Sequence, residues 1–131
     1  MNDWPSQPLF SQLEIKILDS MNEIEMSSYE QLRSRQTHDT PFLSYAYLSA
    51  LHDSQCAGLE TGFQFQLLTV WSHQELVAAC PFYIKNHSMG EYVFDQSWAN
   101  AYHQNGLEYY PKMTIAPPFT PVPGSRLLVH Q

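Results

Sequence analysis

The stretch Phe63-Gln64-Phe65-Gln66-Leu67-Leu68-Thr69-Val70-Trp71-Ser72-His73-Gln74-Glu75-Leu76-Val77-Ala78-Ala79-Cys80-Pro81-Phe82-Tyr83-Ile84 decides the fold. Phe63, Phe65 and Leu67 alternate with Gln64 and Gln66, the period of two that turns one strand face inward and the other outward. Residues 67–71 are then apolar on both faces. Ser72-His73-Gln74 interrupts them, and residues 76–84 run apolar without alternation. Two strands joined by a short polar turn make a β-hairpin. A second strand without alternation is covered on both faces and belongs in the middle of a sheet.

Upstream, Leu13-Glu14-Ile15-Lys16-Ile17 alternates and reads as a half-buried strand. Ser20 with Glu23, and Ser27 with Glu30, each have capping-box spacing and predict two short helical pieces ending near Arg33. Thr40-Pro41 opens a further helix, with Leu43, Tyr47, Ala50 and Leu51 on one face, running to about His52. Downstream, Asp95 reads as the N-cap of a helix carrying Trp98, Ala101 and Tyr102 on one side and stopped at Asn105-Gly106. Residues 112–116 suit a short strand. Pro117, Pro118, Pro121 and Pro123 then stiffen the chain before Arg126-Leu127-Leu128-Val129. The order β-α-α-β-β-α-β predicts an α/β (α+β) domain, with a mixed, mostly antiparallel sheet flanked by helices.

Composition narrows the class. The 131 residues are 44% hydrophobic, 14% aromatic and 15% charged, against about 25% charged in an ordinary globular domain. Disorder, collagen, coiled coil and disulfide scaffold are excluded, and the length fits one domain with a real core. No apolar run approaches the roughly 18 residues of a membrane span. The opening MNDWPSQPLF has neither a basic n-region nor an apolar h-region, so a leaderless, cytoplasmic protein is expected, with residues 1–10 as a flexible tail. The first 80 residues hold ten acidic and three basic side chains, the entire net charge of −7, and the remainder holds three of each. No face can be strongly basic, which excludes DNA as a partner. Half of the aromatic residues fall between Phe82 and Phe119. Cys56 and Cys80 have neither CxxC spacing nor paired histidines and read as reduced thiols.

From Pro41 onward the words become specific. PFLSYAYLSAL, AACPFYIKNHSMGEYVFDQSWANAY and GLEYYPKMTIAPPFTPVPGSRLL resemble the FemAB-like predicted N-acyltransferases, relatives of the GNAT acetyltransferase fold that are often labelled peptidoglycan biosynthesis or recognition proteins. The similarity runs over residues 13–129. Its most distinctive block is Lys85-x-His87-Ser88-x-Gly90-Glu91-Tyr92-Val93-Phe94-Asp95 followed by Tyr109-Tyr110-Pro111-Lys112, with Phe119-Thr120-Pro121-Val122, Gly124 and Arg126 beyond it. His52 stands where an acidic residue is expected, and Met89 where a larger ring is common. The resemblance implies that residues 11–131 are the N-terminal part of a GNAT-like acyltransferase domain in a longer, two-domain protein, the remaining polypeptide being its partner. It implies an acyl-CoA or aminoacyl-tRNA donor and a small-molecule or cell-wall precursor acceptor.

Acyl transfer to an amine needs a donor site, a base and a hydrogen-bond donor for the developing oxyanion. The glycines form no phosphate-cradling cluster, and Gly124-Ser125-Arg126 is the nearest candidate turn. Glu91 and His87 are the candidate bases. Against that stands a tight loop shaped by His87, Ser88 and Gly90, with Glu91 bonded to nearby backbone. Ser88 beside His87 and Glu91 is too close in sequence for a convergent triad. Lys85, Lys112 and Arg126 are the cations able to grip a carboxylate or phosphate. Tyr92, Asp95 and Tyr110 complete the substrate-lining set, with helix capping the competing role for Asp95. His87, Asp95 and His103 lack metal-ligand spacing, so no metal is expected. A rival reading is a non-catalytic module that binds a glycan or peptide through the ring-rich segment 82–119. A third is an interaction domain whose open sheet edge pairs with a partner.

Overall fold

A computed structural model describes residues 12–130. The expected tail, residues 1–10, lies outside them. The order is β1 (Leu13–Leu18), α1 (Met26–Ser34), α2 (Tyr45–Asp53), β2 (Gln64–Ser72), β3 (Glu75–Lys85), α3 (Gln96–Gln104), β4 (Lys112–Thr114) and β5 (Leu128–Val129). The α/β (α+β) class holds, and every strand pairing is antiparallel. The sheet runs β1-β2-β3-β4, with β5 also on β3. As the hairpin predicts, β3 is central. β4 takes Tyr83–Lys85 and β5 takes Ala78–Ala79 on its far edge. Pro81, with no N–H to lend a ladder, falls in the gap between them.

The turn between β2 and β3 puts both His73 (φ 47°) and Gln74 (φ 69°) in left-handed conformation, the backbone that matches the twist of a two-residue hairpin. The register slips beside Val70 and Trp71, so that Trp71 faces Leu76 and Val77 is the extra residue. That bulge returns Leu76 to the face already occupied by Ala79 and Tyr83, where it is buried. The core of that face also holds Phe65, Leu67 and Leu128, with Tyr29 and Leu32 from α1 and Leu48 from α2 above it.

The local capping signals are present in kind but differ in use. Ser20 accepts from the Asn22 amide (3.1 Å) and Glu23 from the Ser20 amide (3.0 Å), yet this box closes only the single 3₁₀ turn Met21–Glu23. The second predicted box does not form. α1 begins at Met26, which puts Ser27 inside it, and Glu30 reaches across to accept from the Tyr45 amide (2.7 Å) at the start of α2. The predicted helix from Thr40 is broken into a 3₁₀ turn, Pro41–Leu43, and α2, because Ser44 is extended and caps afresh through the Tyr47 amide. Its buried face carries Leu43 and Leu48, whereas Ala50 is exposed. β1 exists, but the half-buried reading of it fails: Ile15 and Ile17 are 68% and 57% exposed. Period two says that the strand faces differ, not which of them receives the helices.

Tyr29 is fully buried, and its hydroxyl donates to the Leu43 carbonyl at 2.7 Å, tying α1 to the start of α2. Burial pushes its phenol well above the usual range. Tyr29→Phe should lower stability by about 1–2 kcal/mol, the cost of leaving that carbonyl unpartnered, measured by urea unfolding at neutral pH. No loss would mean that the bond contributes nothing net.

Candidate functional site

The site grows from the far end of the hairpin. Lys85, the last residue of β3, pairs in register with Lys112, the first of β4. Like charges directly opposite one another on a sheet repel. The loop after β3 supplies the countercharge. Lys112 Nζ lies 2.9 Å from Glu91 Oε2 and 2.7 Å from Asp95 Oδ2, and Lys85 Nζ stands 3.7 Å from the same Glu91 oxygen. Lys85 also donates to the Met89 carbonyl (2.6 Å) and sits 3.4 Å from the centre of the Phe63 ring. Thr114 donates to Glu91 Oε1 (2.9 Å), and the Tyr109 hydroxyl donates to Asp95 Oδ2 (2.7 Å). The Lys85 side chain is 0% exposed, Glu91 5%, Asp95 7% and Lys112 14%.

Two cations and two anions make this pocket electroneutral, the condition under which buried charges are tolerated. Pairing is nevertheless incomplete. Glu91 Oε2 faces Lys112 without hydrogen-bond alignment, and Asp95 Oδ1 has no aligned partner. Burial by itself would raise the Asp95 carboxyl, but the hydrogen bonds from Lys112 and Tyr109 carry it well below the usual carboxylate range. The same bonds to Asp95 and Glu91 outweigh burial at Lys112 and hold its ammonium above its ordinary value. At Lys85 burial wins, and its ammonium is lowered.

Around this cluster the loop is drawn tight. His87 Nδ1 accepts from the Met89 amide (3.2 Å), and the His87 ring lies where a Cβ on Gly62 would be. Gly62 (φ 83°) therefore answers both a left-handed backbone and a ring in close approach. Gly90 (φ 81°) is closed in by Phe119 and Phe63, and its carbonyl accepts from the Phe119 amide at 2.8 Å. Tyr92 and Phe119 also have positive φ, 54° and 57°. Ser88 and Tyr110 hydroxyls meet at 2.6 Å. Ser88, Met89, Gly90, Tyr92, Val93, Phe94, Gln96 and Tyr110, neighbours in sequence of the cluster residues, line an open groove, with Tyr92 62% and Phe94 85% exposed.

Of the residues singled out from sequence, Lys85, Glu91, Asp95 and Lys112 converge, Tyr92 and Tyr110 line the groove, and His87 stands against Gly62 nearby. Arg126 is elsewhere: its guanidinium donates to the Val122, Gly124 and Ser125 carbonyls of its own loop. Asp95 occupies the N-cap position of α3 but makes no side-chain cap bond, since its carboxylate is held by Lys112 and Tyr109. The turn at Gly124-Ser125-Arg126 leads into β5, not into a helix. Thr114, Tyr109 as a carboxylate partner, and Phe63 beneath Lys85 went unread. The β3–β4 register brings in Thr114 and Tyr109, and the β2–β3 register brings in Phe63. Both cysteines are free. Among the described residues no three His, Cys, Asp or Glu side chains gather as a metal site, and no helix is long and apolar enough to cross a membrane.

A family model for FemAB-like proteins, described as peptidoglycan biosynthesis/recognition, matches residues 20–131. The chain belongs to the FemAB-like family. The lysine–carboxylate cluster and the groove therefore lie within a domain of a family with a role in peptidoglycan biosynthesis or recognition. No curated protein matches the chain. No solved structure matches it either.

The signs of the shifts define a pH window. A depressed Asp95 contributes stability fully above the ordinary carboxylate value of about 4, lost as pH falls below it. A raised Lys112 contributes fully below the ordinary lysine value of about 10.4, lost as pH climbs past it. Through these two groups stability should be flat between those limits, while the lowered Lys85 adds a rise on the basic side as pH approaches the ordinary lysine value. Asp95→Asn should cost about 3 kcal/mol at pH 7, the effect of stripping one partner from a buried pair, and should flatten the acid limb. Chemical unfolding at a series of pH values reads both.

Proposed function

We propose that this FemAB-like chain supplies the acceptor-binding part of an N-acyltransferase, which moves an acyl or aminoacyl group from an acyl-CoA or aminoacyl-tRNA donor onto an amine of a cell-wall precursor. The observation that carries the reading is the groove, where hydroxyls and exposed rings sit on the loop that the ion cluster pins. In the reaction the amine nitrogen attacks the donor carbonyl carbon and a C–N bond forms. The C–S or C–O bond to the donor breaks, and the amine proton ends on the leaving thiol or hydroxyl. Held as they are by Thr114 and Lys112, and by the Met89 amide, Glu91 and His87 act here as positioning residues that keep the loop in shape. The donor is held by the remainder of a longer polypeptide, and the transfer is cytoplasmic.

The ring exposure also favours a second reading. Trp98 and Tyr102 on α3 are 66% and 41% exposed, and together with exposed Tyr92 and Phe94 they offer ring faces to a glycan. Titration of the chain with a soluble muramyl pentapeptide, followed by intrinsic tryptophan fluorescence or NMR, separates the two. Saturable binding that needs the stem peptide and weakens about tenfold in Phe94→Ala supports the acceptor reading, the loss of one such ring being worth about 1 kcal/mol or more. Equal binding of the sugar alone supports the glycan module. Silence at millimolar ligand sinks both.

A further inference from the structure

β1 forms one side of the sheet. Among the described residues it pairs with β2 alone, which leaves its other edge open. An open edge is a template for a further strand unless something blunts it. Lys16 turns its carbonyl toward β2, where it accepts from the Thr69 hydroxyl at 2.9 Å. Backbone groups alternate along a strand, so those of Leu13, Ile15 and Ile17 face outward from the sheet. The side chains of Ile15 and Ile17 are exposed and stand beside Val70 and Leu68 of β2, on the face opposite buried Leu67 and Thr69.

Glu14 and Lys16 carry the charges of this strand, both exposed and 3.3 Å apart. A lysine alone at an edge repels the same edge of a second copy. Here the order Leu13-Glu14-Ile15-Lys16-Ile17 matches itself when it is turned about Ile15. In antiparallel pairing of two copies about that residue, Ile15 meets its own counterpart and the two exchange both backbone bonds. Leu13 meets Ile17 of the second copy, again through outward-facing groups. Glu14 meets Lys16 twice, at the non-hydrogen-bonded positions where cross-strand side chains come closest. No other centre within the strand does this. Pairing about Glu14 or Lys16 sets like charges directly opposite one another, which destabilises. Pairing about Leu13 or Ile17 brings neither charge to the other.

We propose that β1 pairs with β1 of a second copy of this chain, giving a two-fold dimer whose sheet is continuous through Ile15. The dimer uses none of the groove residues and stands apart from the acceptor reading. Sedimentation velocity of the full chain over a concentration series tests it. The native chain should associate reversibly to a dimer. Lys16→Glu sets glutamate against glutamate at both crossings and should raise the dimer dissociation constant about tenfold or more, since two cross-strand pairs are lost together. Glu14→Lys should do the same. Combining Glu14→Lys with Lys16→Glu restores opposite charges at both crossings and should return the constant to near its native value. Both side chains are exposed, and thermal melting confirms that each variant folds. A native chain that stays monomeric into the millimolar range would overturn the dimer and leave the edge to another segment, residues 1–11 included. A dimer indifferent to the single reversals, or one that the double exchange does not restore, would overturn it as well.

Discussion

Two lysines on adjacent strands, opposite one another in register, one fully and the other largely shielded from water, set the terms for the second half of this protein. Neither ammonium can stay charged in the interior alone, and each worsens the position of the other. Glu91 and Asp95 resolve this by folding the loop after β3 back over its own strand end. The loop path is therefore a consequence of charge balance. It must return far enough for Glu91 to reach between the lysines and for Asp95 to meet Lys112, and residues 86–95 are the length of chain that does so.

That return has a conformational cost, visible in the backbone. Tyr92 and Phe119 are held at positive φ without being glycine, and Gly62 and Gly90 are held there with rings against them. Such conformations persist only where surrounding contacts over-determine them. Here those contacts are the ion cluster below and the Phe119 amide bonded to the Gly90 carbonyl above. The groove is accordingly a rigid feature whose shape is fixed from inside. Hydroxyls and rings are held at its surface by groups that do not line the groove themselves.

Much of the fold was legible because it followed from hydrophobic period. The hairpin, the centrality of β3 and the existence of α2 and α3 rest on that, whereas α1 follows from capping-box spacing. What period two cannot state is which face a helix will cover, and so Ile15 and Ile17 look inward on paper and face outward in the protein. Caps were recognisable as residue types but not as partners. Glu30 has the right spacing for its own helix and serves the next one, and Asp95 has the right position for α3 and serves Lys112. The candidate site was half legible for the same reason. Lys85, Glu91, Asp95 and Lys112 were recognisable as residues. The β3–β4 register that makes them one object depends on three residue pairs closed across a loop of more than 20 residues, which no local pattern encodes.

Charge also separates the two substrates of an acyl transfer. An acyl-CoA or a tRNA carries phosphates, and holding them takes free cations or a helix N-terminus. All six lysines and arginines of this chain lie among the described residues, and each is engaged. Lys16 meets Glu14, Arg33 meets Glu30 and Asp39, and Arg35 meets Glu75. Lys85 and Lys112 are in the cluster, and Arg126 is bonded to its own loop carbonyls. The groove therefore presents hydroxyls and ring faces, not positive charge. A polyanionic donor is poorly suited to such a surface, and an acceptor that presents sugars, amides and an amine is well suited to it. The neutrality of residues 81–131 is thus more than an average. It reflects two cations committed to building the loop and a third bonded to its own loop carbonyls, which leaves uncharged groups as what the loop displays.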